Sequence, residues 1–180
     1  MAYEASGNQV YVGAGVAAVL ENSKKDKKLW KQSFFNVHAN DVVSFAMHPS
    51  RTVAATGQMA SPGKAKAIDI YVWDVETKEI MGRFNDFHRR AIVVLSFSKS
   101  GQFLGSIGQD DDNSLAIYEW KTKRLVVTSN VDKAKVNGFA WKNDNEFATV
   151  GMKHIKFWTL TGRNLKSTMG QQSGGGKFES

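Results

Sequence analysis

The sequence predicts an all-β fold of successive four-stranded antiparallel blades, and three observations carry that prediction. The first is residues 38–74, which open on a loop His38 and alternate apolar and polar residues through Val43, Phe45 and Met47. This stretch then turns at His48-Pro49-Ser50-Arg51, runs a small-residue strand over 52–58 and ends on the β-branched and aromatic run 68–74, closing with Trp73-Asp74. The second is repetition: the same order of pieces returns over 88–120 and over 135–158, the latter without an opening histidine. The third is spacing. Trp73 to Trp120 is 47 residues and Trp120 to Trp158 is 38; the mean of about 42.5 falls within the roughly 40–45 residues of a propeller blade.

Taken in order, residues 1–37 read as a partial blade lacking its first strand. Short strands at 9–13 and 16–20 flank Gly13-Ala14-Gly15, and a third follows at 29–35. Lysines 24, 25, 27 and 28 between them read as a solvated hairpin turn, because Glu21 and Asp26 dilute the charge. Full blades are expected over 38–87, 88–131 and 132–170, with fourth strands within 79–85, 124–131 and 164–170, and 171–180 reads as a flexible tail. Position by position, His88 answers His38, and Val94 and Ser96 stand near Ser44 and Ala46. Second strands carry small residues, as in Ala54-Ala55-Thr56-Gly57 and Gly105-Ser106-Ile107-Gly108, while third strands carry Tyr71, Trp73, Tyr118, Trp120, Phe157 and Trp158. That taper suits sheets that converge on an axis and fill the space between blades farther out. Trp73, Trp120 and Trp158 are expected at equivalent third-strand positions.

Composition sets the outer limits. With 180 residues, 42% hydrophobic and 23% charged, the chain is too apolar for a disordered one. It has no cysteine, which excludes disulfides and thiol chemistry and makes a reducing, cytoplasmic setting the default expectation. The apolar run 12–20 is far shorter than the roughly 20 residues of a membrane helix, so no membrane partner is expected. A net charge of +7 permits attraction to an anionic partner without choosing one.

Candidate chemistry is sparse. Asp110-Asp111-Asp112-Asn113 offers carboxylates, but the spacing of a calcium-binding loop is absent and a turn between strands is the better reading. The four histidines, 38, 48, 88 and 154, show no metal-ligand spacing. The tail 170–177 suggests a phosphate loop and fails, since the required first glycine falls on Gln171 and Phe178 stands where a hydroxyl residue is needed. Neither an enzyme nor a cofactor or metal is expected. The blades resemble WD repeats, and that resemblance implies a structural hydrogen-bond network of a loop His, a strand Ser or Thr, a turn Asp and a strand Trp. That pattern nominates His38, Trp73, Asp74, His88, Ser106, an Asp among 110–112, Trp120 and Trp158.

The residues also resemble a family. The run 6–23 followed by 38–60, with its His-initiated blade, His-Pro turn and Ala-Thr-Gly-Gln, is similar to the first blades of the echinoderm microtubule-associated protein-like WD-repeat family. Residues 97–121 and 150–165 resemble that family's next two blades. The resemblance, spanning about residues 7–166, implies part of a β-propeller, about three and a half blades, that belongs with further blades of a longer chain or a neighbouring subunit. It implies a microtubule or tubulin partner, or other cytoskeletal or axonemal proteins, in the cytoplasm, the cytoskeleton or a cilium. Lys64, Lys66, Arg89, Arg90 and Arg163 are the loop cations expected to meet that partner. A general WD adaptor without tubulin contact is the alternative, and nucleic acid is a weaker one because the cations are spread over several loops. Unpaired edge strands and uncovered faces are expected to make the isolated chain associate.

Overall fold

The structure, a computed structural model, describes residues 1–22, 30–61, 68–152 and 154–170. Every regular element among them is a strand, and the strands form four antiparallel sheets of four. The first sheet holds β1 (Ala2–Tyr3), β2 (Gln9–Gly13), β3 (Val16–Asn22) and β4 (Trp30–Phe35). The second holds β5 (Val42–Met47), β6 (Val53–Gln58), β7 (Ile70–Asp74) and β8 (Ile80–Phe84). The third runs β9 (Ile92–Phe97), β10 (Phe103–Gly108), β11 (Ser114–Glu119) and β12 (Arg124–Asn130). The last runs β13 (Val136–Trp141), β14 (Glu146–Gly151), β15 (Ile155–Thr161) and β16 (Asn164–Met169). Within each sheet spatial order equals chain order, so the blades are meanders joined edge to next blade. The first unit therefore does have a first strand. It is only two residues long, too short for alternation to show in the sequence.

Blades stack through three apolar cores, one at each junction. Val10, Ala17, Val19 and Phe35 meet Ala54, Tyr71, Trp73 and Val75 between the first and second blades. Ala46, Ala55, Ile70, Val72 and Phe84 meet Ile92, Leu95, Phe97, Leu104 and Tyr118 at the next junction, and Ile107, Leu115, Ile117 and Val126 meet Trp141, Phe147, Trp158 and Leu160 at the last. Both faces of an inner blade are thus covered, and alternation there sorts residues between two neighbours. On β5, for instance, Ala46 faces the third blade and Phe45 and Met47 the first, while Val43 is left exposed. Small residues on the second strands set the approach. A Cβ at Gly57 would lie 2.6 Å from Ile92, and one at Gly105 1.9 Å from the Phe139 ring.

The register corrects one expectation. Trp73 pairs with Ala54, two residues before Thr56, and Trp158 pairs with Phe147, two before Thr149. In the third blade the residue two before Ser106 is Leu104, and its partner is Tyr118. Trp120 lies two residues farther on, past the end of β11, and is not the equivalent of Trp73 and Trp158. The reason is local: Tyr118 and Trp120 share an alternation phase, so only strand pairing tells them apart. Trp120 instead ties two blades together. Its indole N–H donates to the carbonyl of Gly101 at 2.6 Å, and His48 of the preceding blade reaches the same oxygen through Nε2 at 3.2 Å. Gly101 holds φ of +79°, and its Cα lies against the His48 ring.

Antiparallel order puts the turns joining first to second and third to fourth strands at one end of the blades, the turn end. The remaining connections lie at the other, the loop end.

Candidate functional site: buried histidine networks and two cationic ends

At the loop end each full blade carries one buried polar network. In the second blade the Trp73 indole N–H donates to Thr56 Oγ1 at 3.2 Å, and Thr56 Oγ1 lies 2.7 Å from His38 Nε2. His38 Nδ1 lies 3.0 Å from Gln58 Oε1. One tautomer satisfies all four groups: Nδ1–H donates to the Gln58 amide oxygen, and Nε2 accepts from the Thr56 hydroxyl. Burial lowers the pKa of His38 below the ordinary imidazole value, which favours this neutral form. Asp74 is not in the network. Its carboxylate accepts from the backbone N–H groups of Glu76 and Thr77, at 2.9 and 2.8 Å, and caps the turn at the opposite end.

The third blade keeps the design and changes the parts. His88 Nε2 lies 2.7 Å from Ser106 Oγ and Nδ1 lies 3.0 Å from Ser114 Oγ, whose hydroxyl donates to Asp110. Trp120 is absent from this network, and Tyr118 stands where Trp73 and Trp158 stand. Burial pushes His88 down to about 4, although the charges of Asp110 and Asp86 oppose the shift. The chain Ser106, His88, Ser114, Asp110 superficially resembles a nucleophile relay. Ser106 is fully buried and His88 nearly so, and their contacts tie the loop ahead of β9 to β10 and β11.

The fourth blade exchanges the partners, which sequence reading missed. Asp132 stands four residues ahead of β13, as His38 and His88 stand four ahead of β5 and β9. His154 takes the strand-entry position held by Ser114 and by Asp69. The Trp158 indole still donates to Thr149 Oγ1, at 2.9 Å. His154 Nδ1 lies 3.7 Å from Asp132 Oδ2, beyond hydrogen-bond reach, and both ring nitrogens are buried without a hydrogen-bond partner among the described residues. Lys156 approaches Asp132 at 3.2 Å and donates to the Val131 carbonyl. The Ala134 N–H first and Lys156 after it hold the Asp132 carboxyl below its ordinary value, while burial lowers His154.

The nominated cations divide between the two ends. Arg89 and Arg90 are exposed in the loop between β8 and β9, at the loop end, where Arg90 pairs with Asp111 at 2.7 Å. Arg163 sits in the turn between β15 and β16, at the turn end. Lys64 and Lys66, like the lysines at 24–28 and the tail, lie outside the described residues. The structure adds exposed Lys133 and Lys135 to the loop end, and exposed Arg51, Lys99, Lys121 and Lys123 to the turn end beside Arg163. Lys121 covers the Trp120 ring at 5.6 Å. Sequence could have found the turn-end set, because Arg51 and Lys99 occupy corresponding first turns of successive blades. Among the described residues no group of His, Cys, Asp or Glu is arranged to hold a metal ion.

Four-stranded meanders stacked through apolar cores, with an indole–hydroxyl bond inside the second and fourth blades and a loop histidine bonded to a strand hydroxyl in the second and third, define a propeller arc of the WD type. The chain belongs to the echinoderm microtubule-associated protein family: the model of that family's first β-propeller matches residues 31–179. It is 30% identical over 174 residues to the 77 kDa echinoderm microtubule-associated protein of Strongylocentrotus purpuratus, covering 92% of this chain and 24% of that one. It is also 30% identical over 138 residues to cilia- and flagella-associated protein 44 of Chlamydomonas reinhardtii, covering 72% of this chain and 8% of that one. The chain thus spans about a quarter of the sea-urchin relative and less than a tenth of the algal one. A chain in the crystal structure of the mitotic checkpoint complex shares the fold at 13% identity, with a TM-score of 0.66 over 89% of this chain and 50% of that one.

Proposed function

We propose that the chain is a non-enzymatic scaffold that associates with microtubules, meeting acidic tubulin or neighbouring cytoskeletal and axonemal proteins through exposed cations at the ends of its blades. The family match over residues 31–179 is the observation that carries the reading. The net charge of +7 and the divided cations support its electrostatic form. The buried histidine networks have a different role in it. They pin the loop-end connections to strands two and three, so the exposed residues between are displayed on a fixed frame.

Arg51, Lys99, Lys123 and Arg163 have no ion-pair partner among the described residues, whereas Arg90 is already engaged by Asp111. The turn end is therefore the stronger candidate contact, with Arg89 and Arg90 at the loop end second to it, and Lys64 and Lys66 remain candidates from the sequence alone. The test is co-sedimentation with microtubules at graded salt, using intact lattices and lattices whose acidic tubulin tails have been removed. Binding that falls with salt and with tail removal is expected. No sedimentation at low salt would overturn the reading in favour of an adaptor that does not touch tubulin.

A further inference from the structure

At each of the three junctions, the turn between first and second strands of one blade is hydrogen-bonded to the same turn of the next. Between the first and second blades the Ala5 N–H donates to the carbonyl of Arg51 at 3.0 Å. Between the second and third, His48 Nδ1 accepts from the Ser50 N–H at 3.0 Å, which leaves the ring proton on Nε2 for the carbonyl of Gly101 at 3.2 Å. Between the third and fourth, Asp144 Oδ1 accepts from the Ser100 N–H at 3.1 Å. Lys99 therefore stands in a turn held from both sides, by His48 of the blade before and by Asp144 of the blade after.

The Asp144 carboxylate is available for this because another residue caps its own turn. Asn143 Oδ1 accepts from the N–H groups of Asn145 and Glu146, at 2.8 and 2.7 Å. Burial opposes the ionisation of Asp144, but bonds from the Ser100 hydroxyl and N–H and from the Ser98 hydroxyl outweigh it and hold the carboxyl below its ordinary value. It is thus an anion set into the same rim as the cations Arg51 and Lys99. Arg51 gives a second sign that this rim is built for its side chains. Its φ is +59°, in the turn position that Gly101 takes one blade later at +79°. The two positions correspond, since Arg51 N–H donates to the His48 carbonyl and Gly101 N–H to that of Ser98. Glycine fills such a position freely, an arginine strains it, and strain of this kind collects at functional positions.

We infer that Asp144 is a positioning residue for an acidic protein partner: its clasp on Ser100 fixes the turn that presents Lys99, so that Lys99 and Arg51 meet the partner as one preformed array. The inference rests on the turn end being the contact surface. It reverses one electrostatic expectation. An acid among cations weakens the attraction of an acidic surface, so by charge alone its removal strengthens binding. As a clasp it favours binding, because a lysine ordered in advance loses less freedom when the partner arrives.

Asp144→Ala and Asp144→Asn separate the two effects, since both remove the charge and only asparagine keeps an oxygen for the Ser100 N–H. Each is compared with the unaltered 180-residue chain in co-sedimentation with microtubules, and in binding to poly-glutamate, at the same low salt. Asp144→Asn is expected to bind at least as tightly as the unaltered chain. Asp144→Ala should bind about two- to tenfold more weakly than Asp144→Asn, the factor for ordering one long side chain on binding. In a Lys99→Ala background that difference should vanish. Amide hydrogen exchange without any partner reads the clasp itself: the Ser100 N–H should exchange faster in Asp144→Ala and not in Asp144→Asn. Equal binding by the two variants overturns the inference, as does a Ser100 amide equally protected in both, or a difference that survives Lys99→Ala. If the expected order appears on poly-glutamate while microtubules are not bound at all, the positioning role stands and the tubulin partner falls. If the chain binds neither, both fall.

Discussion

His154 lies 3.7 Å from Asp132, with histidine and loop residue exchanged relative to the preceding blade, where His88 comes from the loop and Ser114 from the strand. The strand hydroxyl keeps its place at Thr149, where Ser106 stands one blade earlier, and the Trp158 indole donates to it as Trp73 donates to Thr56 in the second blade. The polar cluster therefore tolerates a change in which segment supplies the imidazole, provided that the loop remains tied to the strands.

That exchange makes a stability prediction. Asp132→Ala would leave Lys156 without its carboxylate and is expected to lower stability by about 1–3 kcal/mol, read as a shift of the urea midpoint. Asp132→His combined with His154→Ser restores the arrangement of the third blade. The double variant should lose less than the sum of the two single ones. Strict additivity would show that the two side chains are not coupled.

A second prediction concerns pH. His88 is held neutral by burial, with its pKa lowered from 6.5 to about 4. The unfolded chain therefore binds a proton before the folded chain does, and stability falls as pH drops from about 6.5 towards about 4 and then levels off for this group. The shift corresponds to about 3 kcal/mol, an order-of-magnitude figure. Urea midpoints measured from pH 7 to 4 should show the loss, and His88→Gln should flatten it. An imidazole titrating near its ordinary value would refute the assignment.

Much of the fold was legible because the repeat states it more than once. Strand, turn, small strand and aromatic strand recur at blade spacing, and each occurrence supports the others. Legibility failed where one dimension cannot carry the information. Tyr118 and Trp120 are both aromatic and in phase, so only pairing with Leu104 places Tyr118 in the tryptophan's position. The fourth blade has no histidine in the opening loop because its imidazole comes from the strand side of the network, and Asp132 in the loop shares no chemistry with His38 or His88 that a sequence pattern could match. β1, at two residues, is shorter than any pattern. The cations were visible as charges, but which end of a blade each occupies follows from strand parity, which becomes certain only once every strand has been placed.

Gly101 supplies the next prediction. A Cβ there would stand 1.9 Å from His48 Nε2, on a backbone already in the left-handed region. The histidine ring cannot easily yield, since Ser50 N–H holds its Nδ1 at 3.0 Å. Gly101→Ala is expected to destabilise by at least about 2 kcal/mol, combining strain with the clash. In a His48→Ala background the same change should cost only the backbone strain, about 1–2 kcal/mol. Equal costs in both backgrounds would mean that the His48 contact across the blades does not matter.

The last prediction separates the two ends of the blades. Arg90 is paired with Asp111, and both are largely exposed, so recruiting Arg90 to a partner means giving up an existing pair worth about 0–1 kcal/mol. Arg51, Lys99, Lys123 and Arg163 have no such competitor among the described residues, and they project from turns of three successive blades. Each contact with an acidic surface is worth about as little as any exposed ion pair, so an effect requires several cations acting together and must be screened by salt. Changing Arg51, Lys99, Lys123 and Arg163 together to Ala is expected to weaken microtubule co-sedimentation at least about tenfold at low salt, the equivalent of about 1.4 kcal/mol. Arg89→Ala with Arg90→Ala should weaken it about two- to threefold, within the range of one exposed pair. Neither set should move the urea midpoint appreciably, because surface substitutions of this kind stay within about 0.5 kcal/mol. If the loop-end pair alone abolishes binding, or if binding resists salt, the contact is a specific one at the loop end and the turn end is not the surface that carries it.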